Sequence, residues 1–86
     1  MQRKSRLRPI GQAAKEAGIS RQSLQYYIML GLIEPAEVTQ TGRRLFDDEN
    51  IRQIRIIKGL NEVGYPLREI REMFLQGHTD LKGKKK

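Results

Sequence analysis

Gly18-Ile19-Ser20-Arg21-Gln22-Ser23-Leu24-Gln25-Tyr26-Tyr27-Ile28-Met29-Leu30-Gly31 reads as a turn, a capped helix and a stop. The Ser20 hydroxyl can accept from an orphan backbone N–H one turn on, and Gly31 can take the left-handed conformation that ends a helix. At about 100° per residue, Leu24, Tyr27, Ile28 and Gly31 fall on one side of this helix. Arg21, Gln22, Gln25, Tyr26 and Met29 fall on the other. One face packs and the other reaches outward.

Arg and Gln can form paired hydrogen bonds with base edges, and a Tyr hydroxyl can bond a phosphate oxygen, so the outward face suits DNA. The same pattern also suits an ordinary amphipathic helix with a solvated polar side, and the flanking sequence has to decide. Upstream, Pro9 restricts Arg8 to an extended conformation. Ile10, Ala13, Ala14 and Ala17 then mark the apolar side of a short helix that Gly18 closes. Only Ile19 and Ser20 separate the two helices, so the pair turns sharply, as helix-turn-helix units do, with the second helix in the recognition position.

Downstream, Pro35 prevents helix and the pattern changes to short, partly β-branched runs. A hairpin is expected, with Val38 and Thr39 paired to Leu45 and Phe46 around a loop centred on Thr41 and Gly42. It carries Arg43 and Arg44 together, placed either to lie along a phosphate backbone as a wing or to be solvated as an ordinary turn. Asp47 is a second N-cap, followed by a helix from about Asp48 to Val63, with Ile54, Ile56, Ile57, Leu60 and Val63 on its buried side. Arg52, Arg55 and Lys58 form a basic stripe opposite, solvated or touching DNA. Gly64 stops that helix, and Pro66 suits the first turn of a fourth, whose apolar face is Leu67, Ile70, Met73 and Phe74 and which runs to about Gln76.

Composition narrows the function classes. The 86 residues make one small domain with a net charge of +7 and no cysteine. Thiol catalysis, disulfides and thiolate metal sites are thereby excluded. An enzyme is not expected: His78 is the only histidine, and capping already accounts for Asp47, Asp48 and Glu49. No cofactor and no metal are expected either. There is no apolar run long enough for a membrane span and no secretory signal, which points to the cytoplasm. Residues 1–8 and 82–86 hold eight basic side chains and no acid, leaving nine basic against ten acidic between them. The organisation expected is a basic arm (1–8), a folded unit (9–76) and a basic flexible tail (77–86). The two ends serve either as solubilising tails or as phosphate contacts.

Ile10-Gly11-Gln12-Ala13-Ala14, Ser20 to Tyr27, Gly31-Leu32-Ile33-Glu34-Pro35, Gly42-Arg43-Arg44-Leu45-Phe46 and Gly64 to Ile70, in this order, resemble the DNA-binding domain of the MerR family of bacterial transcription regulators. The resemblance implies a winged helix-turn-helix, mainly α with a small β-hairpin: four helices plus a wing. It implies a sequence-specific regulator of transcription bound to double-stranded DNA in the bacterial nucleoid, with RNA polymerase a candidate second partner. Arg21, Gln22 and Gln25 would face the major groove, Tyr26 a phosphate, and Arg43 and Arg44 would belong to the wing. The turn into the fourth helix resembles a second wing, with Lys58 and Arg68 as helpers.

Two positions depart from the family pattern. Gln25 stands where arginine is common, making paired bonds to adenine possible, and Ile28 stands where glutamate is common, widening the apolar patch. The chain also ends before the long dimerisation helix and the effector-binding segment that family members usually carry. The expected assembly is therefore a monomer in solution, or tandem or weakly associated copies on DNA. Two other readings stay open: a phage excisionase-like factor that bends DNA, and an antirepressor-like interaction module using Ile28 and Met29.

Overall fold

A computed structural model describes residues 6–83. Pro9 and the residue before it form a short strand, β1 (Arg8–Pro9), and the chain turns directly into helix α1 (Ile10–Ala17). Gly18 ends α1 with φ 80°, and the Ile19 N–H reaches back to the Ala14 carbonyl at 3.0 Å. Ser20 then starts helix α2 (Arg21–Met29), its hydroxyl accepting from the Ser23 N–H at 3.0 Å. The stop repeats the first: Gly31 sits at φ 82° and the Leu32 N–H bonds the Tyr27 carbonyl at 2.9 Å. Strands β2 (Glu37–Val38) and β3 (Arg44–Phe46) follow, then helices α3 (Asp48–Glu62) and α4 (Leu67–Gly83).

The expected four helices and hairpin are all present, and the hairpin is part of a three-stranded antiparallel sheet in the order β1-β3-β2. Glu37 pairs with Leu45 and Val38 with Arg44, two positions from the expected register. A two-residue shift keeps every side chain on its own face; on its other edge β3 pairs with β1, Phe46 lying opposite Arg8, and Phe46 fills the core. Thr39 is used by the turn instead of the ladder. The small face of α1 (Ala13, Ala14, Ala17) lets α2 and α3 approach closely over Leu24, Tyr27, Phe46, Ile54, Ile57 and Ile70.

Three expectations are corrected. Ile56 and Val63 are 50% and 73% exposed, so they do not belong to the buried side of α3. The other elements cover one side of that helix only, and Asn50, Ile51, Ile54 and Ile57 occupy it. Arg8 is not part of a free arm: it is 8% exposed and built into the sheet. The backbone continues as helix through Gly83, where a flexible tail was expected from Gly77. The stretch contains no proline, and Gly77, the one glycine before the final residue Gly83, costs only about 1 kcal/mol, too little to end a nucleated helix. The tail cations Arg3, Lys4 and residues 84–86 lie outside the described residues.

Candidate nucleic-acid interface

The outward face of α2 falls between two clefts. The first, about 420 Å³, is lined by Arg21 and Gln25 from α2, Arg43 and Arg44 from the wing, and Pro9 to Gln12 at the start of α1. The turn that docks α2 on α1 therefore also sets its first two turns beside the hairpin. The second cleft, about 500 Å³, lies between the last turns of α2 and the start of α4, lined by Tyr26, Met29, Leu30, Leu67, Arg68 and Arg71.

The two adjacent tyrosines divide as the helical wheel requires. Tyr27 is 6% exposed and Tyr26 49%. Burial pushes the Tyr27 hydroxyl above its ordinary pKa, with the Glu62 charge adding to the effect. Tyr27 is a core residue, and Tyr26 offers its hydroxyl outward.

Charge separates the two sides of the molecule. Among the described residues Arg21, Arg43, Arg44, Arg68 and Arg71 form no ion pair, and all are exposed. Away from this face most cations have partners, although Lys15 is exposed and forms no ion pair. Arg8 Nε donates to Glu16 Oε1 at 2.9 Å and its Nη2 to Asp48 Oδ1 at 2.7 Å, while Arg6 reaches Glu16 Oε2 at 3.1 Å. Hydrogen bonds from Gln12, Arg6 and Arg8 hold the Glu16 carboxyl down at about 2. On α3, Arg52 pairs with Glu49, Arg55 donates to the Glu16 carbonyl at 2.9 Å, and Lys58 lies 3.5 Å from Glu62.

Of the residues singled out in the sequence, Arg21, Gln25, Arg43 and Arg44 meet in the first cleft, and Tyr26 and Arg68 in the second. Gln22 is exposed on α2 and lines neither. Lys58 stands apart, in a cavity with Ala17, Gly18 and Gly59 where α1 meets α3. Sequence reasoning passed over Arg71, although its spacing of three from Arg68 puts both on one side of α4.

The wing is anchored at its root by Asn50, which is buried with its amide paired on both sides. Its Nδ2 donates to the Glu34 carbonyl at 3.0 Å, and its Oδ1 accepts from the Ala36 and Asp47 N–H groups at 3.0 and 3.1 Å. With the Asp47 side chain accepting from the Asn50 N–H, this is a capping box that ties the approach to the wing to the start of α3. Among the described residues no group of three or more His, Asp or Glu side chains is placed to hold a metal ion, and no helix is long and apolar enough to cross a membrane.

A profile described as MerR HTH family regulatory protein matches residues 8–76. The chain belongs to the MerR family. The nodulation protein NolA of Bradyrhizobium elkanii is 35% identical over 72 residues, covering 84% of this chain and 32% of that protein. Two solved MerR-family structures share the fold. MtaN, the N-terminus of the Bacillus subtilis multidrug transporter activator, has a TM-score of 0.72 and 31% identity, covering 78% of this chain and 63% of that one. HiNmlR, a MerR family regulator lacking the sensor domain and bound to promoter DNA, has a TM-score of 0.73 and 25% identity, covering 79% and 54%. The MerR-like domain described here thus spans about a third of the NolA relative and somewhat over half of each of these structures. Its fold is a winged helix-turn-helix.

Proposed function

We propose that this MerR-family chain is a sequence-specific double-stranded DNA-binding regulator of transcription, with α2 in the major groove and the wing on the phosphate backbone. The observation that carries the reading is the first cleft. There, two candidate base-reading side chains, Arg21 and Gln25, stand beside Arg43 and Arg44, and none of these arginines is neutralised by the described residues. Arg21, Gln22 and Gln25 are assigned to base edges; Tyr26, Arg43, Arg44, Arg68 and Arg71 are assigned to phosphates. Lys58 is left out because Glu62 already faces it. The naming of relatives as transcription regulators, and of one as bound to promoter DNA, supports the same reading.

Within this reading the chain is non-enzymatic and works in the bacterial cytoplasm at the nucleoid. It occupies DNA as a monomer or as tandem copies, and RNA polymerase is its second partner. The competing interaction-module reading rests on Met29, which is 74% exposed in the second cleft. Selection of bound sequences from a random duplex pool with the full chain separates the two. The regulator yields a defined motif whose binding weakens steeply with salt, whereas an interaction module yields no enrichment. Stoichiometry on the selected duplex reads the assembly directly.

A further inference from the structure

The tip of the wing is closed largely by one residue. Across the loop between β2 and β3, the Thr39 N–H donates to the Arg43 carbonyl and the Thr39 carbonyl accepts from the Gly42 N–H, both at 2.9 Å. Gly42 reaches that carbonyl with φ 86°, a left-handed conformation that suits glycine. Since Gly42 has taken the carbonyl, the Arg43 N–H is met by the Thr39 side chain, Oγ1 accepting at 3.0 Å. The same oxygen lies 3.0 Å from Thr41 Oγ1, so the hydroxyls of both threonines sit inside the turn.

We propose that Thr39 is a positioning residue for DNA binding, its hydroxyl fixing the backbone at Arg43 so that the wing tip is set before DNA arrives. The inference rests on the DNA-binding reading above and assigns Thr39 no contact with DNA. Its physical basis is where an entropy cost falls. The tip is exposed, so water can replace the lost acceptor and the folded domain barely notices. An unfixed loop, however, must be ordered when Arg43 and Arg44 engage the backbone, and that cost is then taken from the binding free energy. The root of the wing does not share this dependence, because Asn50 holds it from a buried position.

Thr39→Val removes the acceptor and keeps the branched shape, while Thr39→Ser keeps the acceptor. With the full chain, affinity is measured on the selected duplex and on random duplex, and ¹⁵N relaxation reports the Gly42 and Arg43 amides in the free protein. Thr39→Val is expected to weaken binding about three- to tenfold on both duplexes alike, to loosen the Arg43 amide and to leave the unfolding midpoint in place, with Thr39→Ser close to wild type. Wild-type affinity in Thr39→Val, or equal loss in Thr39→Ser, overturns the inference. If the wild-type chain itself prefers no sequence and binds no duplex, the DNA-binding reading fails. The relaxation data still judge the clamp in that case, and an unchanged Arg43 amide in Thr39→Val rejects it.

Discussion

Arg8 and Arg21 are the same side chain thirteen residues apart, and the fold uses them in opposite ways. Arg8 is buried and its guanidinium is filled by Glu16, Asp48 and the Arg6 carbonyl. Arg21 is exposed in a cleft with two further arginines, and no described carboxylate reaches it. A positive net charge alone does not make an interface; what matters is which cations the fold leaves without a partner. The side built on Glu16 uses its charge to hold β1 and α1 to the start of α3. The side built on α2, the wing and α4 keeps its charge available. Substitutions on the two sides should therefore fail in different assays.

The largest effect is expected at Arg8. Arg8→Met keeps volume but removes hydrogen bonds to two carboxylates, and should lower unfolding free energy by about 2–3 kcal/mol while leaving the affinity of the folded fraction for DNA unchanged. Chemical denaturation and binding titration separate the two quantities. The same cluster gives the domain an acid limb. Because the Glu16 carboxyl is held at about 2 against an ordinary 4.5, its contribution is complete above pH 4.5 and is lost as pH falls towards 2. Glu16→Gln should flatten stability across that window. If Arg8→Met instead weakened DNA binding and left stability intact, the assignment of this side to structure would be wrong.

Next come Arg21 and Gln25. Replacing either by Ala should weaken the selected duplex by about 1–3 kcal/mol, relax preference at the bases it reads and leave the unfolding midpoint unchanged. Equal losses on selected and random duplexes would move these residues from base edges to the backbone. Arg71 should behave in that second way. Arg71→Gln is expected to weaken all sequences alike and to reduce the slope of log affinity against log salt by about 1. An unchanged slope would remove the second cleft from the interface and leave it to the protein-interaction reading.

Local signals made the available side legible in the sequence, and long-range pairing hid the other. The Ser20 and Asp47 caps, the Gly18 and Gly31 stops and the split between Tyr26 and Tyr27 depend on residues within a few positions of each other, and each is found as expected. The partner of Arg8 in Asp48 is 40 residues away, so nothing near Arg8 distinguishes it from a solvated tail cation. Strand β1 has two residues, too short to show any alternation, and exists because β3 pairs with it. Ile56 lies on a helix whose apolar residues spread over more than one face, and Val63 follows its last residue as the C-cap; periodicity alone cannot say which part of the spread a neighbour will cover. The two clefts likewise depend on how α2 meets the wing and α4, so the spacing of Arg71 from Arg68 puts both on one side of α4 without showing that this side faces α2.

The smallest expected effect is the one that tests where the two sides divide. Lys58 belongs by sequence to a basic stripe that suits DNA, yet its Nζ lies 3.5 Å from Glu62, one turn further along α3. It is also the nearest neighbour that a Cβ at Gly18 would meet, at 3.7 Å, which places it over the end of α1. An exposed pair at this spacing contributes about 0.3–0.5 kcal/mol, and a cation near a helix C-terminus about as much again. Lys58→Gln should therefore cost under about 1 kcal/mol of stability and change DNA affinity by less than about twofold, with the salt slope intact. A uniform tenfold loss with a reduced slope would mean that DNA displaces Glu62. The interface would then extend around α2 to the α1–α3 cavity, and having a carboxylate neighbour in the free protein would no longer serve to exclude a cation from it.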